Sequence, residues 1–275
     1  MNDEVIFIIP VFNQLHYTEK CLASLNETGT PDTAIIVVDN ASTDGSCEFF
    51  ARRPGLRVIT NQKNLGCSAA WNQGVAAAGS ATWKVVINND VIVAPGFTQG
   101  LLGFASDRAC EIVSPAMGEG ELDYDFAAFS GDFLSKMGTM TRLGTASGVC
   151  FMVHQRVFQA IGVFDARLGQ AGYEDEDFFR RARAAGFRLG ITGRAYLHHF
   201  GSVTQKELKS ELGMPGSAYL GNRDYFRKKH GLNWFKRRLE RFRQKAQAGV
   251  WRRRELRKTG LTLHLRRSHG AWQPA

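Results

Sequence analysis

Trp83-Lys84-Val85-Val86-Ile87-Asn88-Asn89-Asp90 is the stretch on which the fold turns. Its first five residues read as a buried strand, and Asp90 closes the run. A carboxylate at the C-terminal end of such a strand stands where open α/β sheets bind ligands. A second acidic cluster, Glu174-Asp175-Glu176-Asp177, lies downstream at an expected helix start, and the pair His198-His199 follows. Carboxylate, base candidate and imidazole together point to metal-assisted chemistry on a phosphate-bearing substrate.

Around that strand the first hundred residues alternate strand and helix signals. Val5–Ile9 is an apolar run stopped by Pro10, and 14–27 has helical spacing through Leu15, Cys21, Leu22 and Leu25. Ala34–Val38 reads as a buried strand ending at Asp39. Ser42-Thr43-Asp44 offers N-caps for a helix through Ala51. Leu56–Thr60 is a short strand and Ser68–Ala78 an Ala-rich helix ended by Gly79. This alternation implies right-handed βαβ units and a mostly parallel sheet with helices on both faces. The second half is less regular. A helix is expected over 94–109, a short strand at Ile112–Ser114, and a long loop or lid over 118–142, which shows no clear period. Gly148–Val153 is strand-like, Val157–Ile161 a short helix, and 174–185 a helix capped by Gly186. Phe187–Ile191 and Ala195–Leu197 read as strands.

The 275 residues suffice for one large α/β domain or a domain with an appendage. Five cysteines without paired spacing (Cys21, Cys47, Cys67, Cys110, Cys150) argue for a reducing compartment and against a zinc site. No apolar run is long enough to span a membrane, and a strand starting at Val5 argues against a signal peptide. The net charge of +9 is unevenly placed: residues 223–275 carry 17 Lys/Arg against 3 Asp/Glu, while the body is mildly acidic. In this tail Trp234, Phe235, Leu239, Phe242 and Ala246 recur at three- and four-residue steps between basic residues. That is a basic amphipathic helix, suited to an anionic membrane surface. No recognised nucleic-acid module appears in the body, which disfavours a nucleic-acid partner.

Each candidate has a plain structural reading beside the functional one. Asp39 can accept from a nucleobase N–H or simply cap the next turn. Asn88-Asn89-Asp90 can hold a divalent cation bridging phosphates or form a polar turn. The acidic run gains from the helix dipole, yet four adjacent carboxylates repel one another, and one beside a substrate hydroxyl can act as general base. Helical geometry puts Glu174, Asp177 and Phe178 on one side and Asp175 with Phe179 on another. Asn64-Leu65-Gly66 with Asn72 surrounds a turn whose backbone N–H groups can meet a phosphate.

Taken in order, Pro10-Val11-Phe12-Asn13, Val37 through Ser46, Asn64-Leu65-Gly66 with Asn72, Asn88-Asn89-Asp90, Gly172 through Asp177, and His199 through Thr204 form a series. The series resembles a family 2 glycosyltransferase of the GT-A fold, in its rhamnosyltransferase-like branch, over roughly residues 4–230. The resemblance implies an inverting transfer of a sugar from a UDP- or dTDP-linked donor to a saccharide or lipid-linked saccharide in surface polysaccharide assembly. It implies that Pro10, Val11, Phe12, Asn13, Asp39, Asn64, Gly66, Asn88 and Asn89 line the donor. Asp90 and His199 would hold Mn²⁺ or Mg²⁺, and Asp175 would be the base. Glu174, Gly148 and Tyr173 would face the acceptor, with Tyr124, Phe126, Phe129 and Phe133 stacking on its rings. Asn88 and Asn89 depart from the family's DxD-type motif, and His198 competes with His199 for the ligand role. Residues 1–222 are expected as the glycosyltransferase domain, with a nucleotide-binding half to 110 and an acceptor half from 111. Residues 223–275 would be a helical extension that brings a cytoplasmic enzyme to the inner face of the membrane. A non-catalytic sugar-binding module and a nucleic-acid binder acting through the tail are the competing readings. A nucleotidyltransferase would need a Gly/Lys-rich phosphate loop, which Pro10–Leu15 lacks.

Overall fold

The computed structural model describes residues 4–168, 172–201 and 216–275. Strands β1 (Val5–Val11), β2 (Ile35–Asp39), β3 (Arg57–Thr60) and β4 (Trp83–Ile87) lie parallel in the order β3-β2-β1-β4. β1, β2 and β4 are apolar at almost every position because both their faces are covered, whereas the edge strand β3 exposes Arg57 and Thr60. Phe7, Ile9 and Val11 of β1 turn to one face and pack with Cys21, Leu22 and Leu25 of α1 (Leu15–Glu27). Phe97, Leu101 and Phe104 of α4 (Phe97–Arg108) share that face. Ile6 and Ile8 turn to the other, against Ala70, Trp71 and Val75 of α3 (Cys67–Ala77). Each such side chain contributes about 1.5–3 kcal/mol on burial. Pro10 does not stop β1, because the β4 register ends at Ile8 and the missing N–H faces no partner there.

The second half carries the antiparallel strands. β8 (Cys150–His154) runs antiparallel between β4 and β6 (Ile112–Glu119), and β6 is far longer than the expected Ile112–Ser114. A single strand, β9 (Leu189–His199), replaces the two expected short ones. It pairs with β6 across a register shift, and with β5 (Val91–Val93) and β7 (Thr141–Leu143). α6 (Gln155–Ile161) and α7 (Glu174–Ala184) cover the second face.

The expected loop over 118–142 is instead largely helix. Asp125 caps α5 (Phe126–Met137) by accepting from Ala128 N at 3.0 Å, and Phe129, Phe133 and Met137 recur at four-residue steps on its inner side. Phe133 and Met137 are buried with Tyr196, Leu263 and Leu265. Ser42 and Asp44 do not cap the following helix α2 (Ser46–Ala51) as its N-cap, which is Gly45. Asp44 still accepts from Ser46 N and Oγ, at the first residue of α2, through Oδ1. Both residues also bind across to the start of α1: Asn13 N donates to Ser42 Oγ and Leu15 N to Asp44 Oδ2.

Residues 223–275 are not helical throughout. After α8 (Gly216–Lys229) and α9 (Trp234–Thr259), β10 (His264–Ser268) joins β6 in parallel and β11 (Ala271–Pro274) folds back on it. Trp272 stacks on Phe129 at 4.7 Å between ring centroids. α9 is pinned by Glu255, which accepts from Arg142 Nε and Nη2 at 2.8 and 2.7 Å and from Leu263 N at 3.0 Å. Among the described residues no helix is long and apolar enough to cross a membrane. All five cysteines are free thiols.

Glu255 is 1% exposed and its Arg142 partner is nearly buried. Glu255→Ala leaves that guanidinium without its carboxylate, and urea denaturation is expected to register a loss of about 3–5 kcal/mol.

Candidate active site

The C-terminal ends of β1, β2 and β4 share one sheet edge, and the candidate residues gather there. Val11 turns into the core, leaving half-buried Pro10 and Phe12 on the other side of β1. Asn13 adopts φ 54° and its Oδ1 accepts from Thr43 N at 2.8 Å. Asp39 is fully buried. One oxygen accepts from Ser42 N and Oγ, the other from Cys47 Sγ at 3.2 Å, so the carboxylate also closes its own turn. Asn64 Oδ1 accepts from Gly66 N at 2.9 Å. Gly66 has φ 83° at the start of α3, where a side chain would be strained. Asn72 is not part of this edge: its amide exchanges hydrogen bonds with the Phe164 backbone and ties α3 to the loop after α6.

Asn88, Asn89 and Asp90 diverge. Asn89 is buried and donates to Thr18 Oγ1 of α1 at 2.9 Å, so its side chain braces the loop instead of facing a donor. Asp90 Oδ2 lies 3.3 Å from His199 Nε2, and Phe200 N donates to Asp90 O. The neighbouring His198 points elsewhere, with Nδ1 3.0 Å from Tyr124 Oη, and burial lowers it to about 4, which keeps it neutral. Geometry therefore pairs His199, not His198, with Asp90. Among the described residues no group of three or more His, Cys, Asp or Glu side chains forms a metal cage. One carboxylate and one imidazole at 3.3 Å do suit a divalent ion whose other ligands are phosphate and water. The remaining residues of the late motif, Ser202, Val203 and Thr204, lie outside the described residues.

The four carboxylates at the start of α7 separate by role. Asp177 is fully buried among Lys229, Arg181 and His230 at 2.6, 2.9 and 2.8 Å. Burial pushes it up, but the hydrogen bonds from Lys229, Arg181 and His230 outweigh burial and hold it below the usual range. Glu176 meets Arg183 at 3.2 Å. Asp175 and Glu174 remain. Burial raises Asp175, against a hydrogen bond from Glu176 N at 2.8 Å. Glu174 is raised to about 7 by burial and then by the Asp175 charge, and its Oε2 has no hydrogen-bond partner among the described residues. Tyr173, in front of them, holds a left-handed φ of 77°, of the kind that strains a non-glycine residue, and stacks near Phe226 of α8.

The two acidic centres are joined through the backbone. Asn88 N donates to Val149 O at 2.9 Å, and the adjacent Gly148 lies against Asp175. A Cβ on Gly148 would stand 2.0 Å from Asp175 Oδ2, so glycine is what lets the carboxylate come this close. Cys67, the first residue of α3, is raised by burial and then by Glu174 and Asp175, which brings a second helix start to the same corner.

The expected acceptor aromatics are not free to stack on sugar. Phe133 is fully buried, and Phe126, Phe129 and Tyr124 pack on Tyr196, Trp272 and His198. The open space is elsewhere. A cavity of about 760 Å³ between α7, β7 and α9 is lined by Arg142, Glu176, Arg183, Gln244, Gln247 and Trp251. A second, of about 590 Å³, lies between Tyr17, Phe200 and the β10–β11 turn. Sequence reasoning also missed Glu119, which faces His199 in the β6–β9 register and is held by His264 and Arg266. Its partners come from β10, a strand the sequence did not reveal.

A sequence model described as Glycosyl transferase family 2 matches residues 6–162. An N-acetylglucosaminyl-diphospho-decaprenol L-rhamnosyltransferase of Mycobacterium tuberculosis is 26% identical over 255 residues, covering 77% of this chain and 81% of its own. The fold is that of GT-A glycosyltransferases. The crystal structure of GalNAc-T7 with UDP, GalNAc and Mn2+ superposes with a TM-score of 0.57 at 16% identity, over 71% of this chain and 43% of that one. Staphylococcus aureus TarS gives 0.53 at 18% identity, over 70% and 60%. The chain thus spans less than two thirds of either solved chain.

Glu174 supplies a pH test. Its folded-state affinity for protons exceeds that of the unfolded chain, so its contribution is intact below about 4.5 and is lost as pH rises through about 7. Glu174→Gln is expected to gain up to roughly 3 kcal/mol on the wild type between those limits, read by denaturation at stepped pH.

Proposed function

The chain belongs to glycosyl transferase family 2, and from that premise we propose that it transfers a sugar, with inversion, from a nucleoside-diphosphate donor to a saccharide or lipid-linked saccharide acceptor. The observation that carries this reading is the backbone link from the Asp90–His199 pair through Asn88 and Val149 to Gly148 and Asp175. It supports a diphosphate side and a base held near one another on one sheet edge. The relative that acts on a diphospho-decaprenol acceptor supports a lipid-linked acceptor and a role in polysaccharide assembly.

In this mechanism the acceptor hydroxyl gives its proton to an oxygen of Asp175. The acceptor oxygen bonds to the anomeric carbon from the side opposite the diphosphate. The bond from that carbon to the diphosphate oxygen breaks, and the diphosphate leaves with the electron pair. Burial suits Asp175 to the task, since a carboxylate raised toward neutrality accepts a proton more readily. Gly148 fixes the carboxylate by leaving it room, and Glu174 faces the acceptor. Asp90 and His199 would hold Mn²⁺ or Mg²⁺ together with the diphosphate. When bound, the ion supplies positive charge where the leaving group gains negative charge. The GalNAc-T7 structure with UDP and Mn2+ supports that reading. Pro10, Phe12, Asn13, Asp39, Asn64, Gly66 and Asn88 line the donor side. The acceptor enters from the cavity between α7 and α9, which begins at Glu176, next to the base.

Asp175→Asn is expected to lower transfer by about 10²–10⁴-fold while leaving the thermal shift given by the nucleoside diphosphate unchanged. Near-normal turnover in that variant would remove Asp175 from the role of base.

A further inference from the structure

We propose that α9 lies flat on an anionic membrane surface, inserting Phe235, Leu239, Phe242 and Val250 between the headgroups. This goes beyond sugar transfer and rests on the orientation of the helix. An ordinary surface helix turns its apolar side toward the protein; α9 does the reverse. Its inward positions are mostly polar, with Ala248 and Trp251 among them. Glu240 takes Arg180 of α7 at 2.7 Å, Glu255 takes Arg142, and Gln244 and Gln247 line the cavity beneath. From Phe235 to Val250 its outward positions are apolar: Phe235 is 75% exposed, Phe242 71%, Val250 63% and Leu239 50%. Past Val250 the exposed Arg253 and Arg257 continue the same line. At 100° per residue these four fall within one narrow stripe, about half a turn away from Glu240, Gln244 and Glu255.

Cations border that stripe on both sides. Lys236 and Arg254 lie along one flank, and Arg238, Lys245 and Arg252 along the other. Their long stems let the charged heads rise to lipid phosphates while the stripe sinks below them. The occupant follows from this arrangement. A nucleic acid would engage the flanks and leave the stripe in water. A membrane rich in anionic lipid satisfies both at once. The helix has no apolar span able to cross the bilayer, so it rests in the interface. The Arg180–Glu240 pair fastens it to α7, the helix that carries Asp175, so docking also fixes how that carboxylate faces the surface.

The test is sedimentation of the whole chain with vesicles of equimolar phosphatidylglycerol and phosphatidylcholine, and with phosphatidylcholine alone. The chain is expected to pellet with the first and not the second. A triple variant, Phe235→Ser, Leu239→Ser and Phe242→Ser, keeps every charge and alters only exposed positions. Its partition is expected to fall by at least about tenfold with its melting temperature unchanged. Equal binding by the triple variant would overturn insertion and leave charge alone as the cause. A wild-type chain that stays in the supernatant with both vesicles but binds a DNA oligonucleotide would overturn the proposal in favour of nucleic acid. No turnover is read, so the outcome stands whether or not Asp175 is the base.

Discussion

Strand β8 is the constraint on which the rest depends. It runs antiparallel between β4 and β6 and so joins the parallel half of the sheet to the mixed half. Its register sets Ile87 opposite Cys150, which brings Asn88 to Val149 and Gly148 to Asp175. A slip of one residue would turn Phe151 and Val153 from one core cluster toward the other, so the packing of both faces holds the register. Packing far from the sheet edge thereby sets the distance between the Asp90–His199 pair and Asp175.

The carboxylates at the start of α7 divide between those held by cationic side chains and those without such a partner among the described residues. Asp177 is saturated by Arg181, Lys229 and His230, and Arg180 by Glu240. These pairs tie α8 and α9 to α7. With Glu176 also paired, to Arg183, Glu174 and Asp175 stand apart as two neighbouring carboxylates that burial raises, at a helix start that favours negative charge. An acidic run that looks uniform in sequence thus occupies two distinct electrostatic environments.

The parallel half was legible because buried strands and flanking helices write their period plainly, as at Trp83–Ile87, where expectation and structure coincide. The edge residues were legible only through the order of several weak motifs. What was lost depends on distant partners. The helix at Phe126–Met137 was hidden because its cap, Asp125, and its stripe, Phe129, Phe133 and Met137, sit among glycines and polar residues, and its packing partners lie at Tyr196, Leu263 and Leu265. Trp272 has no local signal at all, since its role is to stack on Phe129. Asn72 and Asn89 sit in motif-like surroundings but serve as braces, a distinction made by Phe164 and Thr18, remote in sequence from each.

The pairing of β10 with β6 joins residues 147 positions apart, such as Met117 and His264. At ribosomal rates, Met117 emerges roughly 7–30 s before its partner. Until that strand arrives, Phe133, Met137 and, once made, Tyr196 lack the covering Leu263 and Leu265, and the rim of β6 is open to other chains. The nascent protein therefore passes through a long window in which it is sticky, and its yield in a cell depends on what shields that rim until the late strand arrives.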